Sequence, residues 1–323
     1  MAEAEPAVYA GCPPCGPIIA VPTSAGVPQA RGIRLGPAYI LAQFDPQEYV
    51  LHRPRLGDAS VEVVTEAVAV AVSRAVTRGL VPVVIGGDHT VALGSVLGAR
   101  EGLRKHGRRA PAEGRHEASK EAPLFLLWLD AHPDLNTAET SPTGHLHGMV
   151  LGGLLGIGPL AVREPLTPEQ VTLAGVRAAD PGERSVLAMQ PGLSLWDVET
   201  LRGDGWLPRI DALLERVRCA GGRLYVSVDL DVFDPGVAPG VAVPVAHGAL
   251  VEPVIGLLRR IRASGLLAGA DIVELFPPAD RERQTARVAA RVLTALGAAV
   301  TWRAWGDGGE ETAAPAAYRP VLA

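Results

Sequence analysis

Residues 124–136, LFLLWLDAHPDLN, decide the fold, because six apolar residues run directly into a segment that carries three ionisable side chains. A short, uninterrupted apolar run is typical of a strand that is buried on both faces of a parallel sheet. Asp130, His132 and Asp134 follow at the end of this run. The stretch therefore predicts a buried parallel strand with polar groups at its carboxyl end.

The same alternation of apolar strands and longer helices continues on both sides of this stretch. Further strands are predicted at residues 17–22, 81–85, 171–176, 194–198, 224–230 and 267–275. Helices are predicted at residues 58–79, 91–105, 208–219, 248–264 and 281–296. This alternation predicts an α/β fold, with a mostly parallel central sheet between two layers of helices. We expect a single three-layer α/β/α domain over residues 1–323, with its active site beyond the carboxyl ends of the strands.

Two segments depart from the strand and helix pattern. Residues 107–121 are rich in charge, Gly and Pro and lack apolar periodicity, which predicts a flexible surface excursion. Residues 306–323 follow the last predicted helix and are interpreted as a tail.

Composition and charge argue against several classes of protein. The chain has 323 residues, 48% of them apolar, and a net charge of −5. Without an excess of basic residues it lacks the charge to neutralise phosphates, so we expect no nucleic-acid partner. There is no apolar run of about 18 residues and no pattern of a secretory signal, which predicts no membrane partner and a cytoplasmic location. The three cysteines are too few for a disulfide framework in a chain of this size.

Two other strand ends carry polar residues like those after residue 129. Gly86-Gly-Asp-His89 follows the strand at 81–85, and Asp229 and Asp231 lie at the end of the strand at 224–230. Residues two apart on a strand point to the same side, and the carboxyl ends of parallel strands meet at one edge of the sheet. Several carboxylates in one place repel one another unless a cation compensates.

The balance of charge predicts a site for two metal ions. Four ionised carboxylates bring four negative charges, which two divalent cations neutralise, and two imidazoles add neutral nitrogen ligands. A carboxylate-rich set with few imidazoles suits Mn²⁺ better than Zn²⁺, with nickel and cobalt as alternatives. The candidate ligands are His89, Asp130, His132, Asp134, Asp229 and Asp231.

These three motifs resemble the metal signatures of the arginase/agmatinase ureohydrolase family. The matching segments are Gly86-Gly-Asp-His89, Asp130-Ala-His-Pro-Asp134 and Ser227-Val-Asp-Leu-Asp231. The resemblance implies two Mn²⁺ per subunit, an arginase-like fold and a homotrimer or hexamer. It assigns one metal to His89, Asp130, Asp134 and Asp229. It assigns the other metal to His132 and Asp231, with Asp130 and Asp229 shared between the two.

Within the family, the loop after the second motif is more similar to arginases than to agmatinases. By this resemblance Asn136, Ser141 and Thr143 bind the α-carboxylate of an amino-acid substrate. Asp180 and Glu183 lie in a segment that resembles the one that binds the α-amino group of the substrate. The resemblance therefore implies hydrolysis of L-arginine to L-ornithine and urea.

The implied chemistry needs a strong nucleophile, because the charge of a guanidinium group is delocalised and its carbon is a poor electrophile. Metal ions lower the pKa of a bound water, and a hydroxide that bridges two metals would attack the guanidino carbon. By resemblance Glu274 pairs with the guanidinium group and orients it. Asp231 is the candidate first proton carrier, and His147 is the candidate shuttle to solvent.

Two positions depart from the arginase pattern and leave sister activities open. His145 stands where arginases usually have Asn, and Val243 lacks the hydroxyl expected near the guanidino end. The alternatives are an agmatinase, a guanidino-acid hydrolase or a formimidoylglutamase-like enzyme. A binuclear metallophosphoesterase would need a Gly-Asn-His-Asp type segment, and the single asparagine, Asn136, lies outside any such segment. A non-enzymatic relative would lack metal ligands, whereas all six are present.

Overall fold

One parallel sheet runs through the computed structural model, which describes residues 15–44, 51–52, 54, 56, 58–109 and 122–297. The strands are β1 (Cys15–Val21), β2 (Leu51–His52), β3 (Val81–Gly86), β4 (Leu124–Leu129), β5 (Val171–Ala174), β6 (Ser194–Trp196), β7 (Arg223–Asp229) and β8 (Leu267–Val273). Their order across the sheet is β2-β1-β3-β8-β7-β4-β5-β6, and each neighbouring pair is parallel. β3, β8, β7 and β4 are therefore consecutive in the middle of the sheet.

Helices cover both faces of this sheet. They are α1 (Gly36–Leu41), α2 (Val61–Thr77), α3 (Val91–Arg109), α4 (Val150–Leu154), α5 (Pro181–Met189), α6 (Trp206–Cys219), α7 (Val251–Ala263) and α8 (Gln284–Ala295). Alternate residues of β1 enter different cores: Ile18 packs with α6, α7 and α8, whereas Ile19 packs with α2 and α3. The predicted three-layer α/β/α architecture is thus confirmed, and the sheet among the described residues is entirely parallel rather than mostly parallel.

The elements predicted from sequence are all present, with ends that shift by a few residues. Four further elements were not predicted, namely the short α1, β2 and α4 and the nine-residue helix α5. The predicted excursion at 107–121 is wrong over residues 107–109, which continue helix α3. Residues 110–121 and the predicted tail at 306–323 lie outside the described residues. The single domain over 1–323 stays a prediction for the same reason.

Among the described residues, no helix is both long enough and apolar enough to span a bilayer.

Candidate metal centre and substrate cavity

The central strands deliver the ionisable side chains to one edge of the sheet. His89 follows β3, Glu274 follows β8, Asp229 ends β7 and Asp130 follows β4. Because these four strands are neighbours, their carboxyl ends bring together residues that lie up to 185 positions apart in the chain. This is the topological position at which ligands bind in open α/β sheets.

The first group of possible metal ligands surrounds the Nδ1 atom of His89. Carboxylate oxygens of Asp134 and Asp229 lie 3.1 Å from Nδ1, and one of Asp130 lies 3.3 Å from it. Yet Nδ1 is buried without a hydrogen-bond partner, so none of these oxygens is in line with an N–H bond. Metal–ligand bonds of about 2.1 Å place neighbouring ligand atoms about 3 Å apart. The spacing therefore fits atoms that share one cation.

The hydrogen bonds behind His89 orient its ring with Nδ1 toward the carboxylates. Its Nε2 lies 2.8 Å from the hydroxyl of Ser227, which in turn donates to Asp271. Since that hydroxyl has a single proton, Nε2 must be the donor, and Nδ1 can carry the free lone pair. Trp128 stacks on the ring at 4.1 Å between centroids and donates from Nε1 to Asp130. Such outer partners fix the orientation of metal-binding imidazoles.

The pKa of His89 also indicates a site that attracts a cation. Burial alone would lower the pKa of this imidazole, but the carboxylates of Asp130, Asp134 and Asp229 raise it well above its ordinary value. The three carboxylates therefore favour a positive charge at Nδ1, which either a proton or a metal ion can supply. The group attracts cations strongly, as a metal site requires.

A second group of possible ligands adjoins the first and shares Asp130 with it. The Nδ1 atom of His132 lies 2.9 Å from Oδ2 of Asp231 and 3.6 Å from Oδ1 of Asp130. The candidate ligand atoms of His89, Asp130 and Asp134 lie within 4.8 Å of one another, and so do those of Asp130, His132 and Asp231. Burial disfavours a charged His132, but the two carboxylates raise its pKa to about 12. The two oxygens of Asp130 thus face different groups, which suits a carboxylate that bridges two cations.

Backbone N–H groups hold three of the carboxylates in place. Asp130 accepts from the N–H of His132 at 2.6 Å, Asp229 from that of Asp231 at 2.9 Å, and Asp231 from that of Ala131 at 3.0 Å. For Asp229 this bond engages Oδ1, while Oδ2 faces His89. The role of Asp229 as a second bridge therefore stays a prediction.

The two groups border a cavity of about 380 Å³ whose other walls come from the predicted substrate residues. Its lining includes His132, Asp134, Asn136, Ser141, Thr143, His145, His147, Asp180, Glu183, Asp229, Asp231, Val241, Ala242, Val243 and Glu274. His89 and Asp130 do not line the cavity and lie buried behind it. All the other predicted site residues therefore face one space.

Glu274 and His147 form a pair within this cavity. Oε1 of Glu274 lies 3.0 Å from Nδ1 of His147 and also accepts the backbone N–H of His89 at 2.8 Å. Glu274 has a positive φ of 68°, and its own N–H donates to the carbonyl of Gly87. Burial would lower the pKa of His147, but the charge of Glu274 raises it to about 9. Glu274 therefore favours the protonated form of the His147 imidazole.

The far end of the cavity is built on the start of helix α5. Asp180 and Glu183 form a capping box there, and Oε2 of Glu183 accepts the N–H of Asp180 at 2.8 Å. The other oxygen of Glu183 accepts the N–H of Leu135 at 3.1 Å, and burial raises the pKa of this carboxyl to about 7. Glu183 therefore joins α5 to the loop that carries Asp134, and its contact with substrate stays a prediction.

The amide of Asn136 is already partly engaged. Its nitrogen donates to Asp180 at 2.9 Å, and its oxygen accepts the hydroxyl of Thr140 at 2.9 Å. One amide proton is left for a ligand. At the exposed rim, Ser141 accepts the N–H of Gly144 at 3.0 Å, and Thr143 lies beside it with its hydroxyl 3.5 Å away.

Several contributors to the site were not found from the sequence. Ser227 and Asp271 act on His89 through contacts between strands, and Trp128 stacks on His89 and donates to Asp130, two residues further along the chain. Ser227 begins the third motif, but its hydrogen bond with His89 was not predicted from the sequence. Helix α5 did carry a local signal, because Asp180-Pro-Gly-Glu183 has the acid-to-acid spacing of a capping box with Pro at the first helical position.

Comparisons with known proteins find matches to arginases. A family model described as the arginase family matches residues 17–298. The chain is 35% identical over 221 residues to an arginase of Agrobacterium fabrum, an alignment that covers 67% of this chain and 63% of that protein. It is 32% identical over 237 residues to an arginase of Bacillus caldovelox, which covers 72% of this chain and 73% of the relative. A solved arginase structure from Bacillus subtilis matches with a TM-score of 0.69 at 28% identity, over 86% of this chain and 96% of that one.

Together the fold, the metal-ligand groups and these likenesses define a hydrolase of the ureohydrolase type. The family match extends over nearly the whole described part of the chain and includes all three motifs. The chain belongs to the arginase family, and the resemblance inferred from its motifs is confirmed.

Proposed function

We propose that this protein is a binuclear manganese hydrolase that cleaves the guanidino group of L-arginine to give L-ornithine and urea. The observation that carries the proposal is that one cavity contains both the metal-ligand groups and an end with amide, hydroxyl and carboxylate side chains. The amide and hydroxyls of Asn136, Ser141 and Thr143 suit a carboxylate, whereas Asp180 suits an ammonium group. An amino acid with a guanidino group at its far end supplies all of these partners.

Manganese is the proposed metal because of the donor chemistry. The proposed ligands are four carboxylates and two imidazoles, a set with more oxygen than Zn²⁺ usually takes and no thiolate. When bound, two such cations supply a water of lowered pKa as the nucleophile. They would be held by His89, Asp130, His132, Asp134, Asp229 and Asp231, the residues that the resemblance also assigns.

The chain's own groups then position the substrate and move protons. Glu274 is buried and negatively charged beside the metal-ligand groups, so it would bind the guanidinium and orient its carbon. Asp231 is the proposed first proton carrier, because it lines the cavity beside the other proposed metal ligands and lies 2.9 Å from His132. His147 would relay the proton, since its Nδ1 lies at Glu274 and its ring lines the cavity.

A second candidate is a sister amidinohydrolase that acts on another guanidino compound. It is favoured by the wall of the cavity, where Val241, Ala242 and Val243 offer no side-chain hydrogen-bond donor and Val243 is 47% exposed. His145 adds a second imidazole to the rim, with its ring 5.6 Å from that of His147. These features bear on substrate choice and leave the metal-ligand groups unchanged.

A panel of substrates tests the proposal. With manganese-reconstituted protein, we expect kcat/KM for arginine to exceed that for agmatine and for 4-guanidinobutyrate by about 10–100-fold. Agmatine lacks the α-carboxylate and 4-guanidinobutyrate lacks the α-amino group, and one charge-assisted hydrogen bond contributes about 1.5–3 kcal/mol. Product release from each compound, and from formimidoylglutamate, gives the measurement.

One variant sharpens this test. Asp180→Asn keeps a side chain that can cap helix α5 but loses the charge that would bind an ammonium group. It should lower kcat/KM for arginine about 10-fold and leave 4-guanidinobutyrate unaffected. Faster turnover of agmatine or formimidoylglutamate than of arginine by the unmodified protein would overturn the assignment of arginine and support the sister activity.

The proposal also covers the assembly and location of the protein. The family resemblance supports a homotrimer or hexamer, and the composition of the sequence supports a cytoplasmic location without nucleic-acid or membrane partners.

A further inference from the structure

A single arginine behind the cavity ties together three segments of the chain. Arg177 follows strand β5, is about half buried, and is not among the residues that line the cavity. Its guanidinium donates hydrogen bonds of 2.8–3.3 Å to five backbone carbonyls, and a longer one of 3.5 Å to a sixth, that of Phe233. The five nearer acceptors are Gly175, Asp231, Val232, Val245 and Ala246. All of the nitrogen atoms of this side chain are therefore engaged by backbone.

This arrangement is unusual for a buried arginine, which ordinarily pairs with a carboxylate. Within the described part of the chain, no carboxylate oxygen lies within 4.0 Å of the Arg177 guanidinium. A planar fork with five N–H donors can reach several carbonyls at once, which a lysine cannot do. The side chain is thus used for its shape, as a clamp on the backbone.

Arg177 joins the turn that carries Asp231, here called the metal-ligand turn, to the cavity wall at residues 241–243. Asp231 is a proposed metal ligand, and Val245 and Ala246 end the segment that begins at Gly240. Val241, Ala242 and Val243 in that segment line the cavity. The Arg177 backbone also donates to the carbonyl of Ala131, next to the ligand Asp130.

The other end of the same wall is fixed independently. The N–H of Gly240 donates to the buried hydroxyl of Thr285 at 2.6 Å, and the carbonyl of Gly240 accepts from Phe276 at 2.8 Å. Val241 forms an antiparallel bridge with Leu275, the residue after Glu274. The wall at 240–246 is therefore held at one end by Thr285 and by Leu275 and Phe276, which follow β8, and at the other end by Arg177.

We propose that Arg177 is a positioning residue, which sets the spacing between the cavity wall at 241–243 and the metal-ligand turn at Asp231, and that substrate affinity depends on this clamp. The proposal rests on the proposed hydrolysis of a guanidino compound in this cavity. Arg177 does not line the cavity, so it is not proposed to touch the substrate. It acts through the five carbonyls that it holds.

Replacement by lysine tests the clamp. Arg177→Lys keeps the positive charge but cannot reach the five acceptors, so we expect KM for the guanidino substrate to rise about 10-fold or more, with a smaller fall in kcat. The manganese content should equal that of the unmodified protein. Arg216→Lys is the matched control, because Arg216 is also partly buried, donates to Thr172 and lies over Phe125 away from the cavity. Its KM should not change.

Hydrogen exchange separates this proposal from the proposed function. In Arg177→Lys, the amides of residues 240–248 should exchange at least about 10-fold faster, while those of β7 remain protected. This result does not depend on any substrate. If the unmodified protein hydrolyses no guanidino compound, the proposed function fails, and the exchange rates still decide whether the clamp exists.

The opposite end of the wall provides a second pair of variants. Thr285→Val removes the hydroxyl that binds Gly240 and should raise KM about 3–10-fold, whereas Thr285→Ser keeps the hydroxyl and should behave as the unmodified protein. An unchanged KM and unchanged exchange in Arg177→Lys would overturn the proposal. If Arg177→Lys does not fold, unchanged KM and exchange in Arg177→Gln would overturn it instead.

Discussion

Replacing Asp130 by Asn should remove bound manganese and nearly all turnover. One oxygen of this carboxylate lies 3.3 Å from His89 and the other lies 3.6 Å from His132, so the residue belongs to both ligand groups. The amide keeps the shape but loses the charge and one acceptor. We expect fewer than two metal ions per chain and a fall in kcat/KM of at least about 10³-fold, which exceeds the 10–100-fold typical of residues that only orient a ligand.

The control for this substitution is Asp211→Asn. Asp211 is an exposed carboxylate on α6 that pairs with Arg260 at 2.8 Å. It does not line the cavity. It should retain full metal content and activity. An Asp130→Asn protein that keeps two metal ions and normal kcat/KM would remove Asp130 from the metal centre.

Replacing Glu274 by Gln should abolish most activity while the metal ions stay bound. Glu274 is the buried negative charge proposed to bind the guanidinium, and it is not a proposed metal ligand. Removing one partner of a buried charge pair costs about 3–5 kcal/mol, which corresponds to about 10²–10³·⁵-fold in kcat/KM. The measurement is steady-state kinetics together with the metal content of the purified variant.

The same substitution should change the titration of His147. The Glu274 carboxylate favours the protonated imidazole and raises its pKa to about 9, whereas burial acts in the opposite direction. Without that charge the pKa must fall, so His147 loses its proton at a lower pH in Glu274→Gln. Histidine NMR signals followed against pH in metal-free protein would show the shift.

A matched control exists for the Glu–His pair. Glu199 lies 2.6 Å from His247 on the exposed surface, outside the cavity. Glu199→Gln should leave kcat/KM unchanged. Equal losses in the two variants, or loss of manganese from Glu274→Gln, would show that the effect of Glu274 is not specific to substrate binding.

The fold and the clustering of the candidate metal ligands could be predicted because their signals are local. Asp130, His132 and Asp134 follow one apolar strand within five residues, and Asp229 and Asp231 are two apart on another. Because the carboxyl ends of parallel strands meet at one edge of the sheet, these residues are expected to lie together even when the strand order is unknown. The proposed metal site follows from this placement together with simple charge balance.

The remainder of the site depends on contacts that no local pattern contains. Arg177 meets its carbonyl acceptors at sequence separations of up to 69 residues, and Ser227 meets His89 at a separation of 138. The engagement of Asn136 with Asp180 also required the structure, since it brings together residues 44 positions apart. These pairings are set by how helices and loops pack on the sheet.

In the proposed metal centre, two divalent cations share the carboxylate of Asp130, between His89 and His132. Crystals of the manganese-loaded protein, measured with X-rays at the manganese absorption edge, would reveal the positions of these cations. We predict two anomalous peaks at the carboxyl ends of β3, β4 and β7, one beside each histidine and both within bonding distance of Asp130. A fully loaded crystal with a single peak there, or with none, would contradict it.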